Sequence, residues 1–178
     1  MKEKTGRKRI LSYEEYSGLD KGTSWMVGML LELGERTYDQ VEHLDDQALN
    51  YKPDGSYLIT SVLLLHLVHA ELNLFGFMSG DYDKPDYAQY VAHTSSTDLS
   101  SKEGIGRRSV EILEMHLKFR HEFLKKHCSE EGFFDGPSLN PKFKTCRDVM
   151  GHLIWHWANH SGHIGAITLS AGHEYIWQ

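Results

Sequence analysis

Residues 146–170 read CRDVMGHLIWHWANHSGHIGAITLS and hold four of the chain's twelve histidines: His152, His156, His160 and His163. The apolar spacing predicts one helix from about Cys146 to Ser170, with Gly172 as a natural stop. Each helical residue turns about 100° from the last. With His152 at zero, His163 falls near 20°, His156 near 40° and His160 near 80°. The four imidazoles therefore share a stripe roughly 80° wide. Val149 and Ile167 project into that stripe near 60°, and Leu153, Ile164 and Trp157 border it at about 100° to 140°. Histidines interleaved with the apolar face are expected to point inward.

Three more helical segments lie upstream. The first, from about Thr23 to His43, carries Met26, Leu30, Leu31, Leu33, Tyr38 and Val41 at helical spacing, with Thr23 or Ser24 as its cap. The turn signal Pro53-Asp54-Gly55 follows. The second, from about Ile59 to Met78, is apolar on nearly all sides and should lie centrally. A long Asp-, Ser- and Tyr-rich stretch comes next, with a short helix expected around Tyr87 to His93. Connections of that length are often functional. The third long helix is expected to start near Ser100 or Ser101, where Ser100 and Glu103 fit a capping box, and to end near His127. Four amphipathic helices imply an all-α protein, a four-helix bundle. Residues 1–20 read as a basic, flexible segment, and residues 21–178 as a single domain.

Composition excludes several classes. The 178 residues include 40% hydrophobic and 25% charged ones, an ordinary globular profile. The net charge is -6, and the basic opening MKEKTGRKRI does not continue into a basic stripe, so no nucleic-acid partner is expected. No uninterrupted apolar run near twenty residues and no signal-peptide core is apparent, so neither a membrane span nor export is expected. Two cysteines, Cys128 and Cys146, are too few for a disulfide framework and suit a reducing cytoplasm.

Several buried imidazoles each need both ring nitrogens satisfied. A metal ion meets that need directly, one nitrogen binding the ion and the other an outer partner. HxxxH occurs twice in register, as His152/His156 and His156/His160, which puts side chains in reach of one ion. A facing helix must add a ligand. His66, among Val62, Leu63, Leu67 and Ala70, is the best candidate, and His69 a second. Alone, His66 would read as an ordinary core histidine. His116 and His121 lie among charged residues and read as solvated, and Trp155 and Trp157 read as packing. The chain has no HExxH, which argues against a zincin protease.

The order of these features resembles the DinB/YfiT-like superfamily of metal-dependent proteins. The stretch KPDGSYLITSVLLLHLVHAE brings Thr60 and Ser61 ahead of His66, His156 to His163 reads as H-x-x-x-H followed by a Gly-His step, and GHEYIW closes the chain. The resemblance covers nearly everything after about residue 20. It implies a four-helix bundle, often dimeric, with a triad of His66, His156 and His160 on one divalent ion. His152, His163 and His69 are then additional pocket residues, and His163 stands where many relatives have Gln.

Three neutral imidazoles leave an open coordination position. Zn, Ni and Fe(II) all suit such ligands, with affinity falling as pH drops through about 6.5. Relatives include transferases that use low-molecular-weight thiols, so a metal-dependent S-transferase acting on a small-molecule substrate is the leading expectation. The alternatives are a hydrolase using metal-activated water and a non-catalytic metal or small-ligand binder in a stress response. Residue patterns supply no catalytic group beyond the ligands.

Overall fold

The computed structural model describes residues 19–54, 56, 58–80, 82–94 and 99–175. The expected basic segment lies outside them up to residue 18, as do Gly55 of the turn and the last three residues of the tail. The described residues form helices and no strand, apart from one isolated bridge between Pro137 and Thr145.

Four long helices dominate: α1 (Lys21–Val41), α3 (Thr60–Ser79), α5 (Arg107–Cys128) and α6 (Cys146–Ser170). Two short ones, α2 (Asp46–Leu49) and α4 (Ala88–Val91), sit in the connections. Asp20, not Thr23 or Ser24, caps α1 by accepting from Gly22 N at 2.9 Å and Thr23 N at 3.1 Å. A capping box starts α6: Thr145 Oγ1 accepts from Asp148 N at 3.2 Å, and Thr145 N donates to Asp148 Oδ2 at 2.9 Å. Gly172, with φ 88°, follows its last turn, where no β-carbon crowds the left-handed backbone.

The start of α5 departs from expectation. Residues 99–101 form a separate short 3₁₀ turn, and α5 begins only at Arg107. Gly106 turns the chain at φ 52°, and a β-carbon on Gly104 would lie 2.1 Å from both Asn50 Oδ1 and Ser61 Oγ. Asp46, from α2, accepts from Arg107 N at 2.6 Å and so stands in for a local cap.

Each long helix packs on two others: α1 and α3 both touch α5 and α6. Residue pairs give the directions. Arg147 near the start of α6 meets Asp20, while Gln40 near the end of α1 meets Ser161, so α1 and α6 run parallel. Glu71 meets Arg120 and Phe75 stacks on Phe123, so α3 and α5 are parallel too. His66 beside His156 and Met78 beside Cys146 make α3 and α6 antiparallel. Two consecutive parallel helices need a connection that travels back along the whole of α3, roughly 30 Å. That requirement explains the long stretch between residues 80 and 106.

By length and composition alone α3 could cross a membrane, but His66, His69, Glu71 and Asn73 break its apolar run, as the sequence reading has it, and most of it is buried inside the protein. Its side chains Val62, Leu63, Leu64, Leu65, Leu67, Val68 and Phe75 are wholly covered by the other elements. At 25 cal/mol per Å², covering a large aliphatic side chain stabilises by about 1.5–3 kcal/mol. One close approach is polar. Gly34 of α1 makes room for Arg120, since a β-carbon there would lie 2.0 Å from its Nη1.

Candidate metal centre

His66 reaches the core from mid-α3, and His156 and His160 face it from successive turns of α6. One ring nitrogen from each lies within 4.8 Å of the others. His66 Nε2 and His156 Nε2 are 3.1 Å apart. His66 is 5% exposed and His156 9%, while His160 is half-buried. No carboxylate belongs to the cluster.

Protonation can be deduced at one ring. His66 Nδ1 lies 3.1 Å from the Thr94 carbonyl oxygen, which can only accept. His66 therefore carries its proton on Nδ1, and its Nε2 lone pair turns to His156. In the unliganded pair His156 Nε2–H can fill that gap, which leaves the His156 Nδ1 lone pair buried without a partner. With one nitrogen of each ring converging, the three imidazoles could hold a metal ion.

Burial and mutual proximity keep the rings neutral. Burial pushes the His66 imidazole down, with donation to Thr94 a partial offset. Burial, then His160, His66 and His152, pushes His156 down to about 3. Burial, then His66 and His163, pushes His160 down to about 4. Proton competition for the ligands therefore sets in below the pH of about 6.5 expected for a free imidazole.

This gives a stability prediction. The unfolded chain takes up these protons near pH 6.5, whereas the folded chain takes them up only at lower pH. The contribution is fully present above about pH 6.5 and is lost as pH falls toward the folded values. Metal-free protein should lose on the order of 1–2 kcal/mol per buried histidine between about pH 7 and pH 5. Urea unfolding at the two pH values measures it, and equal unfolding free energies would contradict buried neutral rings.

The remaining α6 histidines grade outward. His152 is half-buried and stacks 6.0 Å from His156, centroid to centroid, and exposed His163 has Nδ1 at 3.3 Å from His160 Nδ1. The stripe thus straddles the edge of the core. His69, half-buried, bonds Asn73 Nδ2 through Nε2 at 2.9 Å and lies outside the cluster. Trp157 is wholly buried, but Trp155 is 60% exposed, so only the first is core packing.

A second polar assembly was not foreseen. Arg120 Nε and Nη2 donate to the two Glu71 oxygens at 2.7 and 2.6 Å, and Nη1 donates to Leu30 O at 2.8 Å. The guanidinium lies 4.1 Å from the Trp157 ring centre. His116, read as solvated, is wholly buried beside this pair, with Nε2 3.4 Å from Glu71 Oε2, while His121 is exposed. With the Glu71 carboxylate facing Nε2, the His116 proton belongs on that nitrogen, and Nδ1 is left to accept from the Tyr87 hydroxyl at 3.0 Å. Burial pushes the Glu71 carboxyl up, but Arg120 and His116 outweigh it and hold the group below its ordinary range. The sequence did hold a signal: Glu71 is a lone carboxylate in an apolar helix and needed a cationic partner.

Neither cysteine is placed for chemistry. Both are buried free thiols, with Cys128 pushed up to about 11 by burial and Cys146 also raised. No family model and no curated protein matches this chain.

Proposed function

We propose that this chain is a four-helix bundle of the DinB/YfiT-like type that holds one divalent metal ion on His66, His156 and His160. The observation that carries the reading is the facing Nε2 pair at 3.1 Å, with the His66 tautomer set by Thr94 and His160 within reach. Neutral imidazoles suit zinc, nickel or iron(II), and three of them leave a coordination position free. Such an ion would supply a Lewis acid able to acidify a coordinated water or thiol. His160 lies on the solvent side of the triad, next to exposed His163, where a small molecule can approach. Because Cys128 and Cys146 are buried with raised pKa, the chain's own thiols are poor nucleophiles. A low-molecular-weight thiol from outside is the nucleophile this reading assigns, with a small electrophile as substrate. A homodimer belongs with the same resemblance, and a cytoplasmic location with the two free cysteines.

The burial of His66 and His156, with only half-buried His160 toward solvent, favours a second reading, metal holding without turnover. Elemental analysis of protein purified without a metal-affinity tag tests the common part. About one equivalent of a transition metal per chain is expected. Protein that carries none, and takes up no zinc, nickel or iron(II) at neutral pH, would overturn the proposal. Thiol addition to a haloarene or epoxide, present with metal and absent without it, then separates transferase from holder.

A further inference from the structure

The connection between α3 and α5 does more than return the chain. It is fastened at two buried points. The Thr94 carbonyl takes the His66 Nδ1–H at 3.1 Å, and Thr94 is wholly buried. Nearer α4, the Tyr87 hydroxyl donates to His116 Nδ1 at 3.0 Å, with Tyr87 only 6% exposed. Between them, Thr94 Oγ1 donates to Val91 O at 2.6 Å and closes the short turn that aims the Thr94 carbonyl at α3. Val91 is 1% exposed and joins the core.

We propose that Tyr87–Thr94 is a positioning strap for the triad, and that metal occupancy and docking of the strap are thermodynamically linked. This rests on the metal-holding reading above. A neutral imidazole has one N–H. While Thr94 accepts it, His66 keeps the Nε2 lone pair toward His156 and His160. When the strap lifts, that proton loses its acceptor, the other tautomer becomes available, and the ring is free to turn. Partners of this kind fix ligand tautomer and orientation in metal sites, and their loss typically weakens binding 10–100-fold. Linkage is reciprocal: an ion that prefers the docked strap also holds it down. Tyr87 is not among the triad ligands, so it acts through the strap as a positioning residue.

The test uses the full chain, chelator-treated and titrated with zinc against a competing chelator. Tyr87→Phe removes the bond to His116 but keeps the ring. Thr94→Val keeps the shape but removes the bond to Val91. Each should weaken zinc binding about 10–100-fold with the helical circular dichroism retained. In the unsubstituted chain zinc should slow backbone hydrogen exchange across residues 87–94, and in both variants that slowing should shrink. Unsubstituted protein that binds zinc while both variants bind equally well would overturn the strap alone. So would zinc binding with unchanged exchange at 87–94, or weakening matched by lost urea stability with the zinc-dependent slowing intact. Unsubstituted protein that binds no zinc would remove the metal reading, and the strap with it.

Discussion

Replacing His156 with alanine should strip the metal from the protein, while replacing His152 should leave it bound. The three rings form a triangle, in which His156 Nε2 lies 3.1 Å from His66 Nε2 and the His156 centroid 4.6 Å from that of His160. Without it, two imidazoles remain on opposite helices, and the loss should exceed the roughly 10–100-fold that an outer partner contributes. His152 lies outside the group whose nitrogens converge, and its ring packs at a tilt against Trp155, 5.5 Å between centroids. The His156→Ala variant should still fold without metal, because the deletion also removes a ring whose Nδ1 has no partner. Elemental analysis and calorimetric zinc titration of both variants decide the matter. Metal retained by His156→Ala, or lost equally from both, would show that the ligand set is different.

The second large effect concerns stability. Arg120→Ala should destabilise the fold by about 3–5 kcal/mol, because it leaves the Glu71 carboxylate buried and uncompensated. That is a large share of the 5–15 kcal/mol typical of a domain. Glu71 and Arg120 are both wholly buried and joined by two parallel hydrogen bonds. Replacing both partners, as Glu71→Leu with Arg120→Met, should recover much of the loss, since apolar residues of similar volume need no counter-charge. The sign of the pH dependence follows from Glu71. Its folded pKa is lowered, so its contribution is present above the ordinary carboxylate range and is lost as pH falls below it. Urea unfolding of the single and double variants is the measurement. A single variant within about 0.5 kcal/mol of the parent, the usual range for a surface change, would refute the pairing argument.

Local chemistry made much of the fold legible. The expected span of α6 matches the observed Cys146–Ser170, α3 is displaced by one residue, and the short helix expected near Tyr87 appears as α4 with its following turn. Apolar period and glycine punctuation act within a few residues of themselves, so they can be read from the chain alone. The start of α5 could not be, because its surrogate cap is Asp46, supplied by a distant segment. Histidines on apolar helix faces made a cluster legible but not its membership, since His152 and His69 fitted the spacing as well, and it was the resemblance that implied His66, His156 and His160. His116 was misread because its charged neighbours suggested solvent, whereas Arg120 among them is itself buried against Glu71. Thr94 carried no signal, since a backbone carbonyl has the same chemistry at every residue.

The space that Gly34 leaves for Arg120 constrains how this sequence can drift over time. Gly34, Glu71, Arg120 and Trp157 come one from each long helix and meet at a single point. Any side chain at position 34 collides with the guanidinium, so that glycine can change only after Arg120 has shortened. Arg120 cannot shorten while Glu71 remains charged and sealed in, because the orphaned carboxylate has no route to water. Changing position 71 first is no easier, because it leaves the buried guanidinium without its counter-charge, so 71 and 120 must change together and 34 only after them. Descendants of this chain should carry these three positions as a linked set, with mixed combinations scarce because each passes through a poorly folded ancestor.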